Sequence, residues 1–435
     1  MATHISSKET GTDAATASRT LSGPLRIGYI MTWFPKLSET FVFREMLEME
    51  KLGYTVEVLP LRKGDTSIVH ENARPFLEKA CFLPVISISS LLACLFELLK
   101  NPLRFLTILA TLVTCNLGSL RYLAASLVYF PKAVLLSRVI RKKKIDHVHA
   151  HFASHPAVVA YVVHRLTGIP FSFTAHGSDL HRDQHMLAEK CRLATAVITI
   201  SDYNRNFIER NIGRSPGNIH VVHCGINTGE FSHFKGRTRK VGQSLNLITV
   251  GTLHEVKGIS YLVRACQLLD SKGVEFRCRI IGDGPDRGRL EALSRSLGVE
   301  TKVEFLGSCN ESEVRHWMSV SDVLVCPSVM TADGRREGIP VVLMEGMACG
   351  LPCVASNLSG IPEIVEDRKN GILSEPGSPE SIASALQLIE SDERLYREWS
   401  ENAQETARTR FDLQKNTVRL SRVLGHAART GEEVK

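Results

Sequence analysis

The sequence predicts an α/β protein of two doubly wound Rossmann-like domains facing a central cleft. Three observations carry this. Short apolar runs alternate with helical patterns from Leu25 onward, a polar stretch breaks the alternation near the middle, and a second alternating series of similar length follows. Repetition of strand, helix and strand builds parallel sheets with helices on both faces.

In the first series "LRIGYI" (25–30) reads as a strand, "ETFVFREMLEMEKLG" (39–53) as a helix stopped by Gly53, and "TVEVLPL" (55–61) as the next strand. "HVHAHF", "PFSFTAH", "AVITIS" and "IHVVHCG" continue the strands as far as Gly225. "NTGEFSHFKGRTRKVGQS" (227–244) is the linker. The second series runs "LNLITVG", "FRCRIIGDG", "VEFLG", "DVLVCPS", "PCVAS" and "GILSEP". The expected organisation is a disordered tail over 1–23, a first domain over 24–226, the linker, a second domain over 245–410 and a terminal helix over 411–435 that packs back across the domains. Two such domains set a deep cleft between facing strand ends, where ligands of open α/β sheets bind.

With 435 residues, 43% hydrophobic and 23% charged, the chain has the make-up of a folded protein. Its net charge of +7 suits a phosphate-bearing ligand or an anionic membrane surface. No basic stripe interleaved with aromatics is present, which argues against nucleic-acid binding. The 11 cysteines are scattered, often in apolar runs as at Cys94, Cys278 and Cys326, and no Cys-x-x-Cys pair occurs. That pattern implies reduced thiols in a cytoplasmic protein. Residues 1–23 are rich in Ser, Thr and Ala and lack the apolar run of a signal peptide.

One segment departs from the alternation. Residues 80–141 are apolar and helical, with uncharged stretches of 17 residues (80–96) and 16 residues (105–120). Both fall short of the roughly 20 residues of a membrane span, and Pro84, Pro102, Gly118 and Pro131 break them. Three readings stay open: buried helices of the first domain, an interfacial membrane patch with Lys100, Arg104, Arg121, Lys132 and Arg141–Lys144 meeting anionic head groups, or a transmembrane hairpin.

The stretch "KIDHVHAHFASHP" (144–156) holds four histidines, three of them at two-residue spacing. Residues two apart on a strand share a face at a spacing of about 6.6 Å, so His147 and His151 lie roughly 13 Å apart and cannot all share one ion. The cluster therefore reads as structural rather than metal-binding, with His151, nearest the strand's carboxyl end, as a cleft residue.

The chemistry concentrates in "REGIPVVLMEGMACGLPCVASNLSGIPEIV". Glu337 ends a polar loop. Gly338, Ile339, Pro340 and Val341 are expected to open a helix whose unpaired amides and positive dipole end suit a diphosphate. Glu345, eight residues on, would stand about 12 Å further along such a helix. Two carboxylates flanking an anion site could hold hydroxyls at both ends of a long ligand; a capping and a surface glutamate would show the same spacing.

Glu337-x7-Glu345 with "GMACGLPCVAS" and "GIPEIV" resembles glycosyltransferase family 4, the retaining enzymes of the GT-B fold. "VGTLHEVKG" (250–258), "IIGDGPDRGRLEAL", "FLG" (305–307) and "SDVLVCPS" (321–328) match in order, and "FPKLSETFVFREM" and "HAHFA…FTAHGSDL" are similar to the branch that builds exopolysaccharides of the colanic-acid type. The resemblance spans roughly Leu25 to Phe411. It implies a metal-independent, cofactor-free hexosyltransferase that takes a UDP- or GDP-linked sugar; the apolar and basic segment 80–144 adds the expectation of a lipid-linked glycan acceptor at the inner face of the cell membrane. The absence of any Asp-x-Asp pair agrees with that fold.

Residue by residue, the resemblance puts Glu337 on hydroxyls of the donor sugar and Glu345 on the nucleotide ribose. It turns the amides of Gly338, Ile339 and Val341 to the diphosphate, and gives Lys257 the leaving-group charge. Gly282 and Gly284 would let backbone approach the nucleoside, and His176 would face the transferred sugar. Leu37, Ser38, Glu39 and Thr40 take the place of a glycine-rich acceptor loop in many relatives, which implies an acceptor role for Ser38 and Glu39. By itself "SET" is a helix cap, at Ser38 or Thr40.

There are two departures from the family pattern. Thr252 stands where many relatives carry an arginine, and Pro340 removes one amide. Diphosphate binding then leans on Lys257 and the helix start, with Arg335 or Arg336 as candidate helpers. A nucleotide-sugar epimerase or a glycan phosphorylase on the same fold is the alternative activity, and a non-catalytic scaffold the alternative class. Intact Glu337, Lys257, Glu345 and His176 argue against the scaffold.

Overall fold

The computed structural model describes residues 24–36, 39–66, 71–182, 184–213, 217–231, 234 and 238–430; the expected tail over 1–23 and Ser38 lie outside them. Its frame is two six-stranded parallel sheets. The first contains β1 (Arg26–Ile30), β2 (Thr55–Val58), β3 (His147–His151), β4 (Phe171–Ala175), β5 (Ala196–Thr199) and β6 (Ile219–Val221), in the order β2-β1-β3-β4-β5-β6. The second contains β7 (Leu245–Val250), β8 (Phe276–Ile281), β9 (Val303–Gly307), β10 (Val323–Cys326), β11 (Cys353–Ser356) and β12 (Gly371–Ser374), in the order β9-β8-β7-β10-β11-β12. The strand order reverses between β1 and β3 in one sheet and between β7 and β10 in the other. Those switch points are where doubly wound sheets bind ligands.

The helices that position the site are α1 (Thr40–Lys51), α2 (Ile88–Lys100), α3 (Pro102–Thr114), α4 (Leu120–Lys142), α5 (His155–Thr167), α6 (Asp202–Ile212), α7 (Val341–Ala348), α8 (Glu393–Arg410) and α9 (Leu413–Thr430). Helix α1 forms because Val42, Phe43, Met46 and Met49 recur at helical spacing and are buried on the first sheet. Its cap position is Glu39, without a side-chain hydrogen bond, so the capping expected of Thr40 is not realised; Thr40 is the first helical residue. Central strands such as β3 and β4 are buried at every position, as two-sided helix cover requires. After α8 the chain returns to the first layer: Leu413 N donates to Ile226 O at 2.8 Å. Leu420, Leu424 and Ala427 of α9 then pack with α1 residues such as Met46 and Met49 in one core.

Of the segment 80–141, α4 is the one described helix long and apolar enough to cross a membrane, and half of its apolar window is buried inside the protein. It packs on α5 and α2 as a core helix. Lys132 decides between the open readings for α4. Its ammonium is not at a head-group surface but buried, donating to the carbonyls of Leu61 (2.6 Å), Leu83 (2.7 Å) and Pro60 (3.2 Å). Burial pushes it down to about 8. Cys278 and Cys326 are buried as expected, whereas Cys94 is partly exposed.

Candidate active site between the two sheets

On the second sheet, the turn after β7 carries Gly251, exposed Thr252, His254 and Lys257. Lys257 Nζ meets Glu337 Oε1 at 2.5 Å, and the other Glu337 oxygen accepts from the buried hydroxyl of Ser328 at 2.6 Å. The loop after β10 supplies Ser328 and leads to Glu337, so this constellation spans the β7/β10 switch point. Burial alone would push the Lys257 ammonium down; the adjoining Glu337 carboxylate outweighs that and holds it above the usual lysine value.

The helix expected to open at Gly338 begins at Val341, with Pro340 in extended backbone at the cap position. Gly338 and Ile339 form a bend before it and are not helical, so the 12 Å helical spacing of the two glutamates does not apply. Ile339 is instead buried in the core beside Ile200 and Ile226. Gly338 is where the layers meet most closely: a β-carbon there would lie 2.1 Å from His176 O, and one on Gly177 would lie 2.7 Å from Gly338 N. Ser178 Oγ donates to Arg336 O at 3.2 Å beside this contact.

Gly282 and Gly284 serve a local approach. A β-carbon at Gly282 (φ +129) would lie 2.0 Å from Gly251 O, and one at Gly284 would lie 2.5 Å from Leu253 O. Both are required for their turn to pack on the 251–253 loop. Of the two arginines, Arg335 Nη1 lies 3.1 Å from His254 Nε2, next to that loop, while Arg336 Nη1 donates to Tyr203 OH of the first layer at 2.7 Å.

On the first sheet the histidines form a hydrogen-bonded layer. His147 Nε2 and His149 Nδ1 share Ser172 Oγ at 2.7 and 2.8 Å, and His149 Nε2 meets Thr174 Oγ1 at 3.1 Å. Burial pushes His147 down to about 3, and burial with neighbouring histidines depresses His149. Glu45, His149 and His151 present possible ligand atoms within 4.8 Å of one another, but both His149 nitrogens already meet hydroxyls. His151 Nε2 lies 3.2 Å from Glu45 Oε1, which also accepts from Tyr29 OH at 3.1 Å. His151 Nδ1 lies 3.1 Å from His176 Nε2, and His176 Nδ1 faces Cys224 Sγ at 3.9 Å. Burial holds His176 well below the usual histidine value and pushes the Cys224 thiol up to about 12. The His176 ring is thus turned into the first layer, while its carbonyl faces Gly338. Asp179 fixes this corner, accepting from the amides of Gly177 (2.7 Å), Ala153 (2.8 Å) and His176 (3.1 Å).

Glu345 sits on α7, apart from Lys257 and Glu337, and its partner is Arg44 of α1 at 3.3 Å. Burial raises the Glu345 carboxyl, and Arg44 draws it partly back. Glu39 forms an ion pair with Lys36; burial raises its carboxyl, and the Lys36 ammonium draws it partly back. Sequence reasoning missed Arg44, Glu45, Ser328, Asp179 and Cys224. Asp179 had a signal, an acidic residue three positions after a strand-end histidine. Glu45 had a weaker one, a carboxylate inside the apolar stretch of α1.

The family described as Glycosyltransferase Family 4 matches residues 38–230, and the one described as Glycosyl transferases group 1 matches residues 231–406. The chain is 31% identical over 382 residues to the putative colanic acid biosynthesis glycosyltransferase WcaL of Escherichia coli K12, covering 85% of this chain and 92% of that one. It is 28% identical over 394 residues to the amylovoran biosynthesis glycosyltransferase AmsK of Erwinia amylovora, covering 85% and 91%. Among solved structures it is similar to a glycosyltransferase from Rickettsia africae (TM-score 0.68, 18% identity, 93% of this chain and 99% of that one). It is also similar to Anabaena HepE in complex with UDP and glucose (TM-score 0.65, 17% identity, 92% and 100%). At these identities the structural likeness bears on the fold, which is GT-B.

Proposed function

This chain belongs to the group 1 and family 4 glycosyltransferases, and from that premise we propose that it is a retaining hexosyltransferase of exopolysaccharide biosynthesis. It takes a UDP- or GDP-linked sugar and extends a lipid-linked glycan at the cytoplasmic face of the membrane, without a metal or cofactor. The observation that carries this reading is the Lys257–Glu337–Ser328 constellation at a switch point, facing the His176–Gly177 corner of the opposite sheet. The colanic acid and amylovoran roles in the names of the relatives support the pathway assignment.

In the proposed reaction the bond from the anomeric carbon to the diphosphate oxygen breaks. The acceptor hydroxyl bonds to that carbon on the same face, and its proton passes to the departing phosphate oxygen. Lys257 neutralises the charge growing on the diphosphate, with the amides of Gly338, Ile339 and Val341 and exposed Thr252 beside it. Arg335, next to the 251–254 loop, is the better placed of the two candidate helpers. Glu337 binds hydroxyls of the donor sugar and Glu345 those of the ribose. His176, His151 and Glu39 shape the acceptor side. The roles of Gly282 and Gly284 reduce to holding the loop the nucleotide lies against.

The test is incubation with a panel of labelled UDP- and GDP-sugars, with and without lipid-linked acceptors and with chelator throughout. The expected product keeps the donor's anomeric configuration and forms equally well with chelator. Inverted product, chelator-sensitive turnover, or conversion of the donor alone to its epimer would overturn the reading.

A further inference from the structure

Helix α2 is amphipathic in the inverted sense. It buries Ser90, Ala93 and Glu97 and turns outward Leu91 (54% exposed), Leu92 (57%), Leu95 (52%), Phe96 (52%) and Leu99 (75%). Its start is well built: Ser87 Oγ accepts from Ser90 N at 3.1 Å, and Ser90 Oγ donates to Ser87 O at 2.8 Å. The outward stripe continues onto the first turn of α3, where Leu103 is 78% exposed. A contiguous exposed apolar face of this kind marks an interaction site.

Charge selects the partner. Residues 80–144 contain nine Lys or Arg and one acidic residue, Glu97, giving +8 where the whole chain carries +7. Glu97 is turned inward with Arg141 at 3.5 Å, so its charge is withdrawn from the face. Of the nine, Lys132 is buried and Arg141 is paired with Glu97, but two others border the apolar stripe: the Arg138 guanidinium lies 4.6 Å and the Lys100 ammonium 5.9 Å from the centre of the exposed Phe96 ring. An apolar stripe edged by cations fits a lipid interface with anionic head groups. Residues 1–23 offer only Met1, Ile5 and Leu21 as large apolar side chains, too few to cover the stripe.

We propose that the outward face of α2 and the first turn of α3 form a docking surface for a bilayer leaflet rich in anionic lipid, with α2 lying in the plane of the interface. This deepens the reading above, whose lipid-linked acceptor would sit in the same leaflet. Helix α4 stays in the protein core and does not cross the bilayer.

The test is co-sedimentation of the full chain with phosphatidylglycerol–phosphatidylcholine vesicles and with phosphatidylcholine vesicles, donor and acceptor absent. The wild type is expected to sediment with the anionic vesicles only. Lys100→Glu with Arg138→Glu should weaken partitioning roughly fivefold or more per charge. Leu95→Glu with Phe96→Glu should abolish it. Leu99→Gln with Leu103→Gln, at still more exposed positions, should weaken it with unchanged thermal unfolding. Equal binding to both vesicle types, or undiminished binding of the Leu95/Phe96 variant, would overturn the proposal. So would a wild-type dimer in solution that this variant dissociates, which would make the face a contact between copies. Donor turnover, read separately on the same samples, reports on the transferase reading, so either inference can fail without the other.

Discussion

Arg44 of α1 and Glu345 of α7 join the two layers across the cleft, guanidinium Nη1 to carboxylate Oε1 at 3.3 Å, while Arg44 Nη2 holds Glu311 Oε1 at 2.5 Å. If Glu345 receives the ribose, the nucleotide must displace this bridge. Arg44→Gln is therefore expected to bind UDP about tenfold more tightly at pH 8, the low end of what a charged hydrogen bond contributes. It should also lower stability by about 1–3 kcal/mol, because the partly buried Glu345 loses its counter-charge. Titration calorimetry and chemical denaturation measure the two. Weaker UDP binding would mean that Arg44 assists the nucleotide and does not compete with it.

The Lys257–Glu337 pair makes a sharper prediction, because both partners are assigned to the reacting end of the donor. Glu337→Gln keeps the shape but loses the charge that holds Lys257 above its usual value. Turnover is expected to fall at least about 100-fold, as when a polarising partner is removed from a preorganised site, with UDP affinity changed far less. Steady-state kinetics beside UDP titration separates the effects. Unchanged transfer would sink the assignment of Glu337.

Much of this architecture was legible in the sequence, for a physical reason. Parallel strands buried on both faces must be written as short apolar runs, so "HVHAHF" and "AVITIS" announced their positions. The membership of Glu337 and Lys257 in one site was legible only through the resemblance of their motifs to the family; the ion pair between them was not. What sequence could not show was contact across the cleft. Arg44 and Glu345 stand 301 positions apart, and nothing local in α1 distinguishes an arginine that bridges from one that is solvated. The start of α7 was misread because Pro340 suits a first helical turn and an extended cap equally well. Lys132 stayed open because a lysine in an apolar helix signals either an interface or a buried clamp, and only the three carbonyls around it decide.

The buried histidines predict acid sensitivity. His147 is pushed down to about 3, and His149 and His176 well below their usual value, chiefly by burial. Above pH 6.5 these rings are neutral in both folded and unfolded chains. As pH falls below 6.5 the unfolded chain takes up protons that the folded one refuses, so stability is lost progressively down to the folded pKa values. Each such histidine should contribute a slope of about 1.4 kcal/mol per pH unit in that window. Denaturant unfolding at a series of pH values between 7 and 4 measures it, and His147→Asn should make the slope shallower by roughly one proton. An unchanged slope would place His147 outside the acid response.

Glu45 is expected to act on transfer through two histidines. Glu45 Oε1 accepts from Tyr29 OH and meets His151 Nε2; in the tautomer where Nε2–H donates to Glu45, His151 Nδ1 is the acceptor toward His176 Nε2–H. His176 Nδ1 then faces the Cys224 thiol as an acceptor. Glu45→Gln keeps the volume but can present its amide N–H to His151, which reverses the donor order along the chain and moves the His176 proton from Nε2 to Nδ1, on the side of Cys224. Because Glu45 is not among the residues assigned to the donor or its diphosphate, the donor KM should hold while turnover falls about 100-fold, the weak end of what a misplaced proton donor costs. The pH–rate profile should shift with it, a response that simple loss of packing would not give. Glu45→Asp, which restores the carboxylate, should recover part of the rate. A parallel loss of rate and stability in both variants, with the pH profile unmoved, would reduce Glu45 to a structural partner of Tyr29.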